Sequence, residues 1–182
     1  GGPPRPAGSG APLREGETSG RVKDRVALVT GAGDGIGRGI ALAFSREGAR
    51  LAVCDVQPGP LRETALAVRE AGAAVHERCF DLCDGAAIRS FVDEVAGRFG
   101  RIDILVHNAA VMPVAPVEEQ REEEIDLTLA VNLRAAVLLS KYATPHMKRS
   151  GGGVILHMAS GTGHNGHPGV VVYGATKGGL IA

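Results

Sequence analysis

Short apolar segments alternate with longer amphipathic segments from Arg25 to the end of the chain. The apolar segments are continuous rather than alternating, which is typical of strands that are covered by helices on both faces. Strands that alternate with helices predict repeated βαβ units and a parallel sheet. Five strands are predicted at Val26–Thr30, Arg50–Val56, Ala74–Asp81, Ile102–Asn108 and Gly153–Ser160.

The segments between the strands predict four helices. The first begins at Gly35 or Ile36 and ends before Gly48, where glycine is a common stop signal. Its sheet-facing side is expected to carry Ile36, Ile40, Ala43 and Phe44. The other helices are placed at Leu61–Ala71, Gly85–Phe99 and Glu122–Lys148. Pro145 is expected to kink or end the last of these, because proline has no backbone N–H to donate.

These elements predict a single α/β domain over residues 21–182, with a Rossmann-type doubly wound parallel sheet. Residues 1–20, rich in Gly and Pro, predict a disordered leader. The sequence ends soon after Lys177, so the last strands of such a sheet are expected to be missing. The fifth strand would then be an apolar edge, which favours aggregation of the isolated chain.

Composition narrows the class of protein. The 182 residues are 44% hydrophobic and 22% charged, as in soluble globular proteins. Twenty basic and twenty acidic residues cancel, so neither nucleic acid nor an anionic membrane is an expected partner. No apolar run approaches the roughly 20 residues of a membrane-spanning helix. Cys54, Cys79 and Cys83 lack metal-type spacing and predict buried, reduced thiols in a cytoplasmic protein.

A glycine-rich turn joins the first strand to the first helix. Gly31, Gly35 and Gly37 lie where backbone N–H groups and a helix N-terminus can approach a pyrophosphate. Their spacing is GxxxGxG and not the GxGxxG of the best-known dinucleotide fingerprint. Glycines also serve ordinary strand-to-helix turns, and this alternative stays open for the motif alone.

Asp55 ends the second strand, close to the roughly 20-residue offset at which an acid binds the adenosine ribose hydroxyls. Its carboxylate would repel a 2′-phosphate, and Asp34 in the glycine turn adds a second negative charge. Both residues predict NAD rather than NADP. The alternative is a solvated aspartate that merely closes a strand.

Tyr173 and Lys177 are four positions apart and share one helix face. An ammonium beside a phenol favours the ionised phenol, which lets tyrosine act as proton donor and acceptor near neutral pH. Ser160 precedes this pair at the end of the fifth strand. The alternative is an exposed helix pair without a chemical role.

Three histidines, His157, His164 and His167, surround Ser160 in the sequence. They have no acidic or cysteine ligand nearby and no i,i+4 spacing, so no metal site is predicted. They are expected to line the substrate pocket or to lie next to it.

Together these motifs resemble the short-chain dehydrogenase/reductase family over residues 25–182. The resemblance is carried by TGAGDGIG at residues 30–37, Asp55, Asp81, HNAA at residues 107–110, Asn132, Ser160 and YGATK at residues 173–177. Two residues depart from the family's Asn-Asn-Ala-Gly segment: His107 replaces the first Asn and Ala110 replaces the Gly. Both changes favour lower cofactor affinity, although Asn108 is kept.

The resemblance implies a role for each matching position. Tyr173 would be the general acid/base, Lys177 would favour its ionised form and bind the nicotinamide ribose, Ser160 would hold the substrate oxygen, and Asn132 would position a water for proton relay. Residues expected at the cofactor are Gly31, Asp34, Gly35, Ile36, Gly37, Asp55, Asp81, Leu82, Asn108, Ala109, Tyr173 and Lys177.

The function implied is an NAD-dependent oxidoreductase that acts on a small secondary alcohol or ketone. The complete protein is expected to be a homo-oligomer. The alternative is a non-catalytic nucleotide-binding or regulatory relative, or an inactive fragment of such an enzyme.

Overall fold

Five parallel strands form one sheet in the computed structural model, which describes residues 20–182. The strands are β1 (Val26–Thr30), β2 (Arg50–Asp55), β3 (Val75–Cys79), β4 (Ile104–His107) and β5 (Val154–His157). Their order across the sheet is β3-β2-β1-β4-β5, and every neighbouring pair is parallel. The predicted Rossmann-type sheet is therefore confirmed. The predicted leader lies outside the described residues, except for Gly20.

Six α-helices lie in the connections and after β5 in the described part of the chain. They are α1 (Gly35–Arg46), α2 (Pro58–Glu70), α3 (Gly85–Phe99), α4 (Glu122–Leu129), α5 (Ala135–Arg149) and α6 (Val171–Ile181). A π-helical turn, Ala130–Arg134, joins α4 to α5. None of the helices within residues 20–182 combines the length and the apolar character needed to cross a bilayer.

The expected single helix from Glu122 to Lys148 is wrong in two respects. It is divided by the π-helical turn, and it runs on through Pro145 to Arg149. The helix survives Pro145 because α5 packs Leu139, Ala143 and Met147 into the core. This burial offsets the one backbone hydrogen bond that the proline removes.

The predicted inner face of α1 is also partly wrong. Ile36 and Ala43 are exposed, while Gly37, Ala41 and Ser45 are the buried positions. Gly37 sets this phase, because a Cβ there would lie 1.9 Å from the carbonyl oxygen of Gly31. Helix α1 can therefore approach the turn after β1 only with the face that carries Gly37.

Two apolar layers cover the faces of the sheet. Val26 and Leu28 of β1 pack with α3 and α5, whereas the intervening Ala27 and Val29 pack with α1 and α2. This double coverage explains the continuous apolar strands. It also buries Cys54 and raises the pKa of its thiol by desolvation. The expectation of three buried thiols is wrong, because Cys79 is exposed and Cys83 is half-buried.

The two edges of the sheet differ in chemistry. Edge strand β3 carries His76, Glu77 and Arg78, which form ion pairs or hydrogen bonds with neighbouring helices. Edge strand β5 instead exposes Val154 (54%) and Leu156 (48%) on one face. Charges protect an edge from pairing with another chain, and β5 lacks them there.

Replacing Val154 by lysine is expected to weaken self-association of the 182-residue chain. A charge on an exposed edge opposes pairing with a second strand, and we expect the association constant to fall by about tenfold. Sedimentation velocity at increasing protein concentration measures this. Leu66→Lys is the control, because Leu66 is equally exposed (49%) but lies on α2. Equal effects of both substitutions would contradict a special role for the β5 edge.

Candidate active site

A cleft of about 580 Å³ opens at the carboxyl ends of the strands. It lies where β1 neighbours both β2 and β4, the point at which the strand order reverses, and ligands of open α/β sheets bind at such a point. Eight of the predicted cofactor residues line it: Gly31, Asp34, Ile36, Asp55, Asp81, Leu82, Asn108 and Ala109. The other four, Gly35, Gly37, Tyr173 and Lys177, lie outside its lining.

The glycine turn forms one wall of the cleft through close backbone contacts. Gly31 has a positive φ of 63°, and a Cβ there would lie 2.8 Å from the Cα of Ala109. Gly37 packs against the Gly31 carbonyl and is buried. Asp34 caps α1, since its carboxylate accepts the Gly35 N–H at 2.7 Å. The turn thus leaves the N-terminus of α1 at the cleft with its partial positive charge.

Asp55 lies at the end of β2 on the rim of the same cleft. Its two carboxylate oxygens accept the backbone N–H groups of Gly33 and Gln57, each at 2.9 Å. These bonds fix the carboxylate, and each oxygen keeps a lone pair for a further donor. The geometry suits an acceptor for paired hydroxyl groups.

Asn108 joins the β4 end to the glycine turn. Its side-chain amide donates to the carbonyl oxygens of Thr30 (3.2 Å) and Gly31 (3.1 Å). The Thr30 hydroxyl oxygen accepts the backbone N–H groups of Asn108 and Ala109, both at 3.2 Å. No role was predicted for Thr30, although it opens the TGAGDGIG motif.

The buried ring of His107 lies behind this wall, at 1% exposure. Burial, with the positive charges of His157 and Lys177 as further causes, lowers the pKa of His107 to about 4. The ring is therefore neutral near pH 7. The His107 and His157 rings meet edge to face at 6.0 Å between centroids.

Tyr173 and Lys177 lie on α6, as their spacing predicts. The Lys177 ammonium is 5.3 Å from the centroid of the Tyr173 ring. Lys177 is 3% exposed and donates to the carbonyl oxygen of Met158, just after β5. Desolvation lowers the pKa of Lys177. A partly desolvated cation is thus held against the tyrosine ring.

Ser160 follows β5, and its hydroxyl oxygen accepts from the backbone N–H (3.3 Å) and hydroxyl (2.9 Å) of Thr162. The turn that follows packs closely on α6, because a Cβ at Gly174 would lie 3.1 Å from the Thr162 carbonyl oxygen. The structure therefore brings the Ser160 turn and the helix of Tyr173 together.

Asn132 lies in the π-helical turn and is fully buried. Its side-chain oxygen accepts the Val111 N–H at 2.8 Å, and its amide nitrogen donates to the Val111 carbonyl (2.9 Å) and the Thr176 hydroxyl (3.3 Å). The Thr176 hydroxyl in turn donates to the Tyr173 carbonyl at 2.7 Å. The Asn132 side chain therefore ties the loop after β4 to α6. Thr176 was missed, although it lies inside the YGATK motif.

The three histidines do not form a cluster. His164 and His167 are exposed in the segment before α6, whereas His157 lies in β5 and contacts the Ser140 hydroxyl of α5 at 3.2 Å. Across residues 20–182, no group of three or more metal-ligating side chains is assembled.

A parallel sheet with a glycine-lined cleft at its switch point defines a nucleotide-binding domain of the Rossmann type. Residues 25–182 match the family model described as short chain dehydrogenase. The chain therefore belongs to the short-chain dehydrogenase family, and the resemblance drawn from its motifs is confirmed.

Similar proteins include polyol dehydrogenases. The chain is 39% identical over 163 residues to a sorbitol dehydrogenase of Cereibacter sphaeroides, covering 89% of this chain and 62% of that protein. It is 40% identical over 163 residues to a D-threitol dehydrogenase of Mycolicibacterium smegmatis, covering 88% and 62%. The crystal structure of an NAD+-bound xylitol dehydrogenase superposes with a TM-score of 0.85 at 32% identity, covering 88% and 62%. The chain thus spans less than two thirds of the length of these relatives.

The free energy of unfolding is expected to fall as the pH is lowered from about 6.5 to about 4. The unfolded chain protonates His107 near the ordinary pKa of 6.5, whereas the folded chain does so only near 4. The unfolded state therefore binds more protons in this window, and acid destabilises the fold by up to about 3 kcal/mol. Urea unfolding of the wild type and His107→Asn across this range measures the difference.

His164→Asn is the control for that series, because His164 is exposed. It should keep the wild-type pH dependence, whereas His107→Asn should reduce it. An unchanged pH dependence in His107→Asn would show that His107 does not cause the loss.

Proposed function

We propose that this chain forms the nucleotide-binding and catalytic part of an NAD-dependent oxidoreductase that acts on a secondary alcohol or ketone. The observation that carries the proposal is the buried Lys177 ammonium against the Tyr173 ring, 5.3 Å from its centroid. Such a pair suits proton transfer to or from an oxygen whose carbon gains or loses a hydride. NAD, when bound, supplies or accepts that hydride.

The cleft fits a dinucleotide on the evidence of its own residues. A side chain at Gly31 or Gly37 would collide with the protein's own backbone, so glycine at both positions lets α1 begin close to the end of β1. Gly35 has no atom within 4 Å of its Cβ position, which leaves room for a ligand to approach the backbone of the turn. The N-terminus of α1 suits a pyrophosphate. Asp55 has free lone pairs for ribose hydroxyls, and Asp81 and Leu82 also line the cleft.

NAD is preferred over NADP in this proposal. The Asp55 carboxylate lies on the cleft rim and accepts two backbone N–H groups, so its orientation is fixed. A 2′-phosphate beside it would meet a fixed negative charge, to which Asp34 on the same cleft adds.

The catalytic residues have separate tasks. Tyr173 exchanges a proton with the substrate oxygen through its phenol, and Lys177 favours the charged phenol electrostatically. Ser160 holds the same oxygen with its hydroxyl. Asn132 acts here through its hydrogen bonds to Val111 and Thr176, which fix α6 relative to the loop after β4. A water near the π-helical turn remains part of the proposed proton relay.

Polyols are the proposed substrate class, because the similar proteins include sorbitol, D-threitol and galactitol dehydrogenases. The exposed His164 and His167, which follow Ser160 closely in the sequence, offer polar groups for a hydroxylated substrate. A homo-oligomer is also proposed, supported by exposed apolar residues on α4 and α5, Leu129 and Val137. A cytoplasmic location remains a prediction.

Tyr173→Phe is expected to lower the rate of NADH formation from sorbitol, galactitol, D-threitol or xylitol by at least about 100-fold. The substitution removes the proton-transferring oxygen and keeps the ring. NAD affinity, measured by calorimetry, should change little. The control is Tyr142→Phe, because Tyr142 also packs beside a lysine (Lys141, 5.6 Å) but lies on α5.

Two results would contradict this proposal. Tyr173→Phe with wild-type turnover would remove Tyr173 from the mechanism. A wild-type chain that binds NAD but oxidises none of the polyols would favour the alternative of a non-catalytic nucleotide-binding relative.

Asp55→Asn is expected to raise the Kd of NAD by about tenfold and to lower the ratio of the NADP Kd to the NAD Kd by more than that. The amide loses the negative charge that strengthens bonds to ribose and repels a 2′-phosphate. Fluorescence titration with both nucleotides measures the ratio. Asp93→Asn is the control, since Asp93 lies on α3 outside the cleft. Tighter NADP than NAD binding by the wild type would refute the cofactor assignment.

A further inference from the structure

The Thr30 hydroxyl has three polar neighbours in a fully buried position. Its oxygen lies 3.2 Å from the backbone nitrogens of both Asn108 and Ala109, and 3.1 Å from Nδ1 of His107. No water or charged group is needed to account for these contacts. They form a small closed network directly behind the cofactor cleft.

The chemistry of the donors decides where each hydrogen lies. A backbone N–H can only donate, so the Thr30 oxygen is the acceptor for both Asn108 and Ala109. The single hydroxyl hydrogen then has His107 Nδ1 as its acceptor. In the neutral imidazole, Nδ1 must therefore lack a hydrogen, and Nε2 must carry it.

The tautomer assignment rests on the Nδ1 side of the ring. The backbone carbonyls of Asn132 and Val131 act on His107 as hydrogen-bond acceptors that raise its pKa, although less than burial lowers it. Within residues 20–182, Nε2 has no partner at full hydrogen-bond geometry.

The network bears directly on the cleft wall. Asn108 and Ala109 line the cleft, and a Cβ at Gly31 would lie only 2.8 Å from the Cα of Ala109. Any movement of this backbone therefore changes the width of the cleft at the glycine turn. The Thr30 hydroxyl oxygen binds the N–H groups of this backbone, and its own hydrogen points toward His107 Nδ1.

We propose that His107 is a positioning residue for the cofactor cleft, acting through the Thr30 hydroxyl to hold the backbone of Asn108 and Ala109 in place. The proposal rests on the proposed function, since it assigns how the NAD site is supported. An asparagine at this position, as in the resembling family, can also accept a hydroxyl hydrogen. A leucine cannot.

Protonation of His107 would break the network. A protonated ring presents a hydrogen at Nδ1, so the Thr30 hydroxyl would lose its acceptor and a third donor would face its oxygen. The titratable groups that act on the ring are His157 on β5 and Lys177 on α6, and both oppose a positive charge there. The surroundings thus keep His107 in the neutral form that the network requires.

The first test uses the cofactor-free 182-residue chain. Nitrogen-15 NMR of the imidazole at neutral pH should show Nδ1 without a hydrogen and Nε2 with one. The amide hydrogens of Asn108 and Ala109 should exchange about tenfold faster in His107→Leu than in the wild type. A hydrogen on Nδ1, or unchanged exchange of both amides, would overturn the proposal.

The second test measures NAD affinity by calorimetry. We expect His107→Leu to raise the Kd by about tenfold and His107→Asn to restore it to within about threefold of the wild type. In a chain that already carries Thr30→Val, His107→Leu should raise the Kd of NAD little further, because His107 acts through the hydroxyl that Thr30→Val removes. His146→Leu, remote from the cleft on α5, is the control. Additive effects of Thr30→Val and His107→Leu on the free energy of NAD binding would overturn the proposal.

The outcomes separate the two proposals. A wild-type chain that does not bind NAD would refute the proposed function, while the tautomer and amide exchange would still decide the role of His107. A wild-type chain that binds NAD, with His107→Leu binding equally well and remaining folded by its thermal melt, would refute the role of His107 alone.

Discussion

Close backbone contact at the carboxyl ends of β1 and β4 is the constraint on which the rest of the site depends. A Cβ at Gly37 would lie 1.9 Å from the Gly31 carbonyl oxygen, and one at Gly31 would lie 2.8 Å from the Cα of Ala109. Because neither glycine has a side chain, α1 can begin directly against the sheet with its N-terminus at the cleft. Asn108 then closes the contact with hydrogen bonds to the carbonyls of Thr30 and Gly31.

Helix α6, which carries Tyr173 and Lys177, is attached to this wall by polar links and not by the sheet alone. Asn132 is bonded to Val111 on one side and to Thr176 of α6 on the other. It can reach both because it lies in a π-helical turn, where the helix departs from regular geometry. The Lys177 bond to the Met158 carbonyl adds a second attachment, at the end of β5. The cleft and the Tyr173 helix are thereby held together.

Much of the architecture could be predicted because it depends on local patterns. Continuous apolar runs predicted the positions of the strands, and the strand ends predicted that Asp55 and Asn108 lie at the carboxyl ends of the sheet. The phase of α1 could not be predicted, since the tight contact of Gly37 outweighed the hydrophobicity of Ile36. The prediction that Pro145 kinks or ends the helix was wrong for a similar reason, because the packing of α5 on the core outweighed a local helix-breaking preference.

The sequence by itself determined the glycine turn, the strand-end acid and the four-residue spacing of Tyr173 and Lys177, because backbone periodicity fixes these relations within one element. Only the tertiary structure decided the partners of Asn132, the burial of His107 and the hydrogen bond from Lys177 to the Met158 carbonyl. Hydrogen bonds and desolvation depend on segments distant in the chain. The Asn132 bond to Thr176, for example, crosses 44 positions, and no local pattern contains that information.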